Sequence, residues 1–327
     1  MMEETLLRIQ DLRTTFYARE GQIHAVDGVS IEIQEGECAG IVGESGCGKS
    51  MTAMSVMGLL KKPGRVDGGN IWFEGRDLTA MSDRERRTIL GNRISMIFQE
   101  PMTSLNPVIT VGRQVREALL LHNKDLTRAQ ARQKVVESFE LVGIPDAAKR
   151  YGEYPHQLSG GLRQRVMIAM AMACDPKLLI ADEPTTALDV TIEAQILHLM
   201  KQLQEEKGTA IMMITHNLGV VAQFCTRLYV MYAGKVMESG TVKEIFKHVC
   251  HPYTDGLMRS VPDMKSKERL YNIRGMVPNM LRLPAGCRFC PRCQYSMARC
   301  FEEEPELYEA TPGHFVRCFL FEREEGK

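Results

Sequence analysis

Apolar and polar positions alternate along Leu6–Leu12 and again along Val29–Gln34, with Glu35-Gly36 marking a turn after the second run. Period-two alternation is the mark of strands buried on one face. Glu37–Val42 is almost wholly apolar and runs straight into a glycine-rich turn, as a strand buried on both faces would. Lys49–Leu60 then has helical length and composition and stops short of Pro63-Gly64. From about Thr110 to Gln157 the pattern turns helical: Thr127 and Gln130 have capping-box spacing ahead of a stretch from Ala131 to Val142 with apolar residues at helical intervals. Strand-like runs return at Lys177–Asp182, Thr209–Thr215 and Arg227–Gly234 with helical segments between them. Strands alternating with helices predict an α/β fold with a parallel sheet covered on both faces. After His251 the pattern loosens into Pro- and Gly-punctuated sequence, which predicts an irregular tail in need of a staple.

The bulk properties change this picture little. With 327 residues, 44% apolar and 25% charged, the chain has the composition of about two globular domains. The formal net charge is zero, which argues against a nucleic-acid binder driven by bulk electrostatics. The N-terminus has no basic segment leading into an apolar one, and the run Val166–Cys174 is far shorter than the ~20 residues that span a bilayer. A cytosolic chain is therefore expected, with any membrane role exercised through partners. Cys38, Cys47, Cys174 and Cys225 stand singly among apolar neighbours, as reduced core thiols do. Cys287, Cys290, Cys293, Cys300 and Cys318 crowd together, which in a reducing compartment favours a metal or cluster over disulfides.

Two motifs carry chemistry. Gly43–Ser50 reads GESGCGKS, the phosphate-loop pattern, between a predicted strand and a predicted helix. Backbone N–H groups of Gly43, Ser45, Gly46, Cys47, Gly48 and the following Lys49, Ser50 and Met51 can curl round a polyphosphate at the positive end of a helix. Lys49 would reach the β- and γ-phosphates, and the Ser50 hydroxyl would ligate magnesium. The apolar run ending in Asp182-Glu183 supplies acids at a strand's carboxyl end. Asp182 is placed to hold magnesium, and Glu183 to polarise the attacking water.

Leu158–Arg165, LSGGLRQR, narrows the choice. The chain resembles the ATP-binding subunits of ABC transporters, whose signature is LSGGQ followed by a basic residue. The resemblance spans about residues 5–250 with the motifs in the family's order. It implies that Gln99 is the Q-loop residue, sensing magnesium or water, that Ala187–Asp189 is the D-loop, and that His216 is the switch histidine on the γ-phosphate. Ser159, Gly160 and Gly161, at the start of a helix, form a second anion-seeking terminus. In the family two subunits pack head to tail, so that this terminus meets the ATP held by the other subunit's phosphate loop. An aromatic stacks on adenine, here Phe16 or Tyr17. Met51 departs from the usual Thr and Leu162 from the usual Gln; the latter looks like the peptide-importer branch.

The segment His251–Pro262 resembles the start of the C-terminal extension of dipeptide and oligopeptide importer ATPases. On that resemblance Cys287, Cys293, Cys300 and Cys318 are the ligands of a 4Fe-4S cluster, with zinc as the alternative and Cys290 as a spare. Arg282, Arg288, Arg292 and Arg299 lie around the cysteines in sequence and are expected to help hold an anionic thiolate site. The implied fold is a P-loop ABC ATPase core with an antiparallel β subdomain, a helical subdomain at about residues 100–174, and a small irregular metal-binding extension. The implied boundaries are about residues 1–250 for the ATPase and about 251–327 for the extension. The implied function is ATP hydrolysis, with Mg2+, driving uptake of dipeptides or oligopeptides from the cytoplasmic face of the membrane. The partners would be a second ATPase subunit (a different chain, or a homodimer as fallback), two permease subunits and, indirectly, an extracytoplasmic binding protein, with no nucleic acid. The alternatives are a soluble ABC ATPase acting on DNA or ribosomes, a small-molecule kinase, and an importer for nickel or another solute.

Overall fold

The structure is a computed structural model, and it describes residues 5–99, 104–186, 188–261 and 271–322. The chain divides into two compact units. The first is built from Thr5–Ile33, Cys38–Thr79 and Met213–Lys327, and the second chiefly from Ala80–Met212.

The first unit holds a four-stranded sheet in the order β2-β1-β4-β5, from β1 (Thr5–Ala18), β2 (Gly21–Gln34), β4 (Gly64–Phe73) and β5 (Arg76–Asp77). The pairing of β1 with β4 is antiparallel, from Leu7↔Phe73 to Phe16↔Gly64. Along β2 the buried Val29, Ile31 and Ile33 alternate with Ser30 and Glu32, as the sequence pattern requires for a half-buried strand. The same unit contains β3 (Cys38–Val42), buried at every position, which pairs in parallel with β9 (Arg227–Tyr232). Strand β10 (Lys235–Thr241) follows antiparallel. The helix after β3 ends at Met57, earlier than the pattern suggested, because Gly58 takes a left-handed conformation and its N–H closes back on the Ser55 carbonyl.

The tail is more regular than expected. Strands β11 (Tyr308–Thr311) and β12 (His314–Val316) form a hairpin, and β12 adds antiparallel to β10 through Glu238↔Val316 and Ser239↔Phe315. The polar join behind this pairing is buried. His314 Nε2 lies 2.8 Å from Glu238 Oε1, and the Glu238 carboxylate also accepts the N–H groups of Cys250 at 2.8 Å and His251 at 3.0 Å. Glu238 and His314 are both fully enclosed. A further departure concerns two thiols read as isolated: the sulfurs of Cys38 and Cys225 lie 3.3 Å apart in the core.

In the second unit β6 (Ile94–Ile97) and β7 (Leu178–Asp182) pair in parallel. The helices Val111–His122 and Arg128–Leu141 bury Val111, Val115 and Leu119, and Ala131, Val135 and Phe139, each set at four-residue spacing. Thr127 and Gln130 form the predicted capping box. Helix Gly160–Met172 is apolar over most of its circumference and buries Val166–Ala169 without a break, the pattern of a core helix. Strand β8 (Ala210–Thr215) leads out of this unit. Among the described residues no helix is long and apolar enough to cross a membrane.

Replacing Glu238 with Ala removes the acceptor of the buried His251 N–H and the part-buried Cys250 N–H and the partner of the buried His314 ring, each loss costing about 1–3 kcal/mol. Urea unfolding is expected to show a loss of at least about 3 kcal/mol for Glu238→Ala and less than half of that for Glu238→Gln, which keeps an acceptor. Equal midpoints for Glu238→Ala and the parent would refute the role of this join.

Candidate functional site

The phosphate-loop residues come together in the first unit. Strand β3 ends at Val42, the turn Gly43–Gly48 follows, and helix Lys49–Met57 begins with no side chain capping its first amides. Those N–H groups are the ones a helix start leaves for an anion. Ser45 and Gly46 are exposed, Ser50 and Met51 half-buried, and Gly43, Cys47, Gly48 and Lys49 buried. The Lys49 ammonium donates to the carbonyls of Gly43 at 2.8 Å and Glu44 at 3.1 Å and lies 3.7 Å from Cys47 Sγ. Burial pushes the Cys47 thiol up against the opposing pull of Lys49, so this cysteine is held as an uncharged packing group.

Gly48 is dictated by both space and torsion. Its φ is 107°, and a Cβ there would stand 2.4 Å from the Ala25 carbonyl oxygen. Gly46 has φ 78° and open space around it.

His216 follows β8, is exposed, and shares an open cleft with Gly43, Glu44, Asn217, Leu257 and Val261. The sequence placed this histidine 173 positions from the loop it now borders (216 − 43). The two aromatics differ in commitment. Tyr17 donates its hydroxyl to Asp67 at 2.9 Å, and the Arg65 guanidinium sits 4.3 Å from its ring centre. Phe16 is half-buried, with its ring packed against the backbone of Gly64.

The second unit brings the acids and the signature helix together. Asp182 is buried at the end of β7. Glu183 has φ 46°, a left-handed backbone that a long acidic side chain seldom takes. Its carboxylate accepts the Gln99 amide N–H at 3.0 Å and the Thr186 hydroxyl at 2.8 Å, so two residues 84 positions apart in sequence meet here. Ser159 caps helix Gly160–Met172 by accepting the Leu162 N–H at 3.4 Å, and Ser159 and Gly160 are exposed. The buried Gln164 side chain donates to the Pro184 carbonyl, tying the signature helix to the turn after Glu183. Asp189 caps helix Val190–Lys207 through the Ile192 N–H at 3.0 Å. Ala187 of the predicted D-loop lies outside the described residues, as do Glu100 and Pro101 after Gln99.

The cysteines converge. Cys287, Cys290, Cys293, Cys300 and Cys318 all line one small enclosed cavity walled by Phe289 and Phe319. Cys290, set aside in the sequence as a spare, is 2% exposed and faces the same space. Burial pushes the Cys287 thiol up to about 12 and that of Cys318 up to about 11, with neighbouring thiols adding to both shifts. Cys290 and Cys293 shift in the same direction for the same reasons.

Three of the four arginines expected around this cavity are paired with carboxylates. Arg288 pairs with Asp27, Arg292 with Glu44, and Arg299 with Glu303 and Glu322. Each guanidinium found a carboxylate, with which it can form the stronger planar pair. Cys250 went unremarked in the sequence; its N–H helps hold Glu238, while its sulfur lies 3.5 Å from the His248 carbonyl oxygen. No pattern in the letters around it signals that position.

Residues 26–186 match the family described as ABC transporter, and residues 237–300 match the one described as oligopeptide/dipeptide transporter, C-terminal region. The chain is 50% identical to the oligopeptide transport ATP-binding protein AppD of Bacillus subtilis over 322 residues, covering 98% of each. It is 50% identical to the oligopeptide transport ATP-binding protein OppD of Salmonella typhimurium, covering 96% of this chain and 93% of that one. Among solved structures it is similar to the ATP-binding cassette MJ0796 in a dimeric post-hydrolysis state bound to ADP and Pi. The TM-score there is 0.66 at 28% identity, covering 72% of this chain and 98% of the other.

The two glycines make a paired test of the loop geometry. Gly48→Ala is expected to lower stability by at least about 3 kcal/mol, because backbone must move to admit the methyl group. Gly46→Ala should cost about 1–2 kcal/mol, the torsional term alone. Chemical denaturation of the two variants would show it, and equal losses would contradict the close approach at Ala25.

Proposed function

This chain belongs to the ABC transporter family, in the branch of ATP-binding subunits of oligopeptide and dipeptide importers, and on that premise we propose how its residues share the work. The protein is the ATP-hydrolysing subunit of a membrane importer, and its cargo is read as peptides. The observation that carries this is identity of 50% along 98% of an oligopeptide transport ATP-binding protein, including the C-terminal region.

Lys49 binds the β- and γ-phosphates, while the amides from Gly43 to Met51 cradle the rest of the polyphosphate. Ser50 and Asp182 would hold Mg2+, which would supply positive charge against the polyphosphate. Glu183 polarises the attacking water as general base, and the 3.0 Å contact from Gln99 orients its carboxylate and reports magnesium. His216 contacts the γ-phosphate from the cleft it shares with Gly43. Phe16 stacks on adenine, since a face of Tyr17 already carries Arg65. Ser159, Gly160 and Gly161 meet the ATP of a second ATPase subunit, as the exposure of Ser159 and Gly160 permits; Asp189 shapes that contact by capping its own helix. That second subunit is a related chain, or a second copy. Two permease subunits dock on the helical subdomain at the cytoplasmic face of the membrane, and an extracytoplasmic binding protein delivers peptide to them.

The cysteine cavity fits a metal centre by the chemistry of its donors. Buried neutral thiols with mutually raised pKa values become good ligands once a cation compensates their charge. A single tetrahedral zinc brings four sulfurs within ~3.8 Å of one another. Among the described residues only Glu238, Cys250 and His314 bring three ligand atoms within 4.8 Å, so the five sulfurs are spread wider than zinc needs. On the resemblance we propose a 4Fe-4S cluster held by Cys287, Cys293, Cys300 and Cys318, with zinc as the alternative and Cys290 as a fifth candidate. Such a centre would staple the tail.

Glu183→Gln is expected to lower ATP turnover by at least about 10²-fold while ATP still binds and the dimer is held closed. Turnover at the parent's speed would remove Glu183 as the base. Reconstitution with permeases in liposomes should raise a vanadate-sensitive ATPase activity; no response to permease would argue against the importer reading. Anaerobically purified protein should be brown and contain about four irons per chain. Colourless protein with one zinc would overturn the cluster.

A further inference from the structure

The phosphate loop is held from outside by the cysteine-bearing segment. Glu44, the second residue of the loop, is fixed at three points. Its carbonyl accepts from Lys49 Nζ at 3.1 Å. Its N–H donates to the Tyr253 hydroxyl at 2.8 Å. Its carboxylate receives a two-pronged pair from Arg292, with Nη1 to Oε2 at 2.5 Å and Nη2 to Oε1 at 3.0 Å. Arg292 is itself rigidly placed. Its Nε donates to the Arg274 carbonyl at 2.9 Å, its Nη1 reaches the Tyr232 hydroxyl at 3.3 Å, and its side chain is only 5% exposed. It ends the one-turn helix Cys290–Arg292 and is followed by Cys293, so cavity-lining cysteines bracket it. Phe289, just before that turn, packs on Tyr232 and Tyr253 with ring centres 5.3 Å away in each case.

We infer that Arg292 is a positioning residue for ATP binding: it clamps Glu44, so that the phosphate loop is pre-shaped by the cysteine-bearing segment 248 positions downstream. This inference rests on the nucleotide reading of Gly43–Ser50. Two physical effects point the same way. A bidentate guanidinium–carboxylate pair restrains the loop before ATP arrives, which spares the ordering cost on binding. The same pair neutralises a carboxylate that would otherwise stand unpaired beside the loop that receives a triphosphate. Once ATP is bound, its phosphates hold the loop themselves, so the clamp acts on affinity and leaves the chemical step alone. The cysteine-bearing turn thereby has a mechanical line to the nucleotide, and disturbing the turn should be felt as weaker ATP binding.

The measurement is the ATP dissociation constant and the steady-state kinetics of the full chain, with and without Mg2+. Arg292→Gln should raise the Kd and KM for ATP roughly tenfold, the scale of one charge-assisted hydrogen bond, with kcat at saturating ATP within about twofold of the parent. Arg292→Lys keeps the charge and the packing but loses the fork, and should fall between them. In a Glu44→Gln background, Arg292→Gln should add less than about twofold, because the partner is already gone. Hydrogen exchange of the Gly43–Gly48 amides should quicken in Arg292→Gln and not in a distant variant of matched stability.

A purely structural role for Arg292 would lower the melting temperature and leave Kd, KM and loop exchange unchanged. That result in either folded variant overturns the inference, and Arg292→Lys carries the test alone should Arg292→Gln not fold. Full additivity with Glu44→Gln overturns it equally. Lys49→Ala serves as the reference: unimpaired ATP binding there would refute the nucleotide site itself, whereas a normal Arg292→Gln beside a defective Lys49→Ala removes the clamp alone.

Discussion

One buried ammonium sets the terms for the nucleotide site. Lys49 is 5% exposed, and a charge so enclosed is tolerated only where oxygen atoms surround it. The carbonyls of Gly43 and Glu44 meet that need and thereby bend the loop back over the start of its helix. The same bend leaves the helix amides without a capping side chain and demands glycine at position 48. In the proposed site, a polyphosphate would satisfy both the ammonium and the amides at once.

The C-terminal residues share the phosphate loop's unit, and a layered set of contacts explains how. At the sheet, β12 adds to β10 over the buried Glu238–His314 join. Beside it, Tyr232, Tyr253 and Phe289 form an aromatic wall with centres 4.7–5.3 Å apart, a spacing that rewards tilted and edge-on rings. Outside that wall lies the thiol cavity. Arg288 and Arg292 cross the layers to reach Asp27 and Glu44. The tail thus gains stability by adding to a sheet edge and packing on an aromatic face.

The second unit shows how side chains used for capping also shape function. Ser159 and Asp189 each accept a backbone N–H at a helix start with a side-chain oxygen. Glu183 is held in a left-handed backbone conformation while Gln99 and Thr186 restrain its carboxylate. Strain of this kind persists only where surrounding contacts outweigh it, and here the buried Gln164 fixes the adjoining Pro184 carbonyl.

By itself the sequence determined the elements whose signals are local. The alternation in β2, the phosphate loop between strand and helix, the Thr127 capping box and the helix headed by Ser159 were all legible, because each depends on residues within a few positions of one another. What lay beyond reach were partnerships made through space. The arginines near the cysteines read as counterions for thiolates, yet Arg288, Arg292 and Arg299 are paired to carboxylates, Arg292 to one 248 positions away. The last strands joined a sheet edge that no periodicity near Tyr308 or His314 could announce. Cys290 lines the shared cavity although the resemblance to the importer branch leaves it as a spare. In each case the deciding quantity was the free energy of desolvating a polar group or an open strand edge, and that depends on which distant surface folding brings against it.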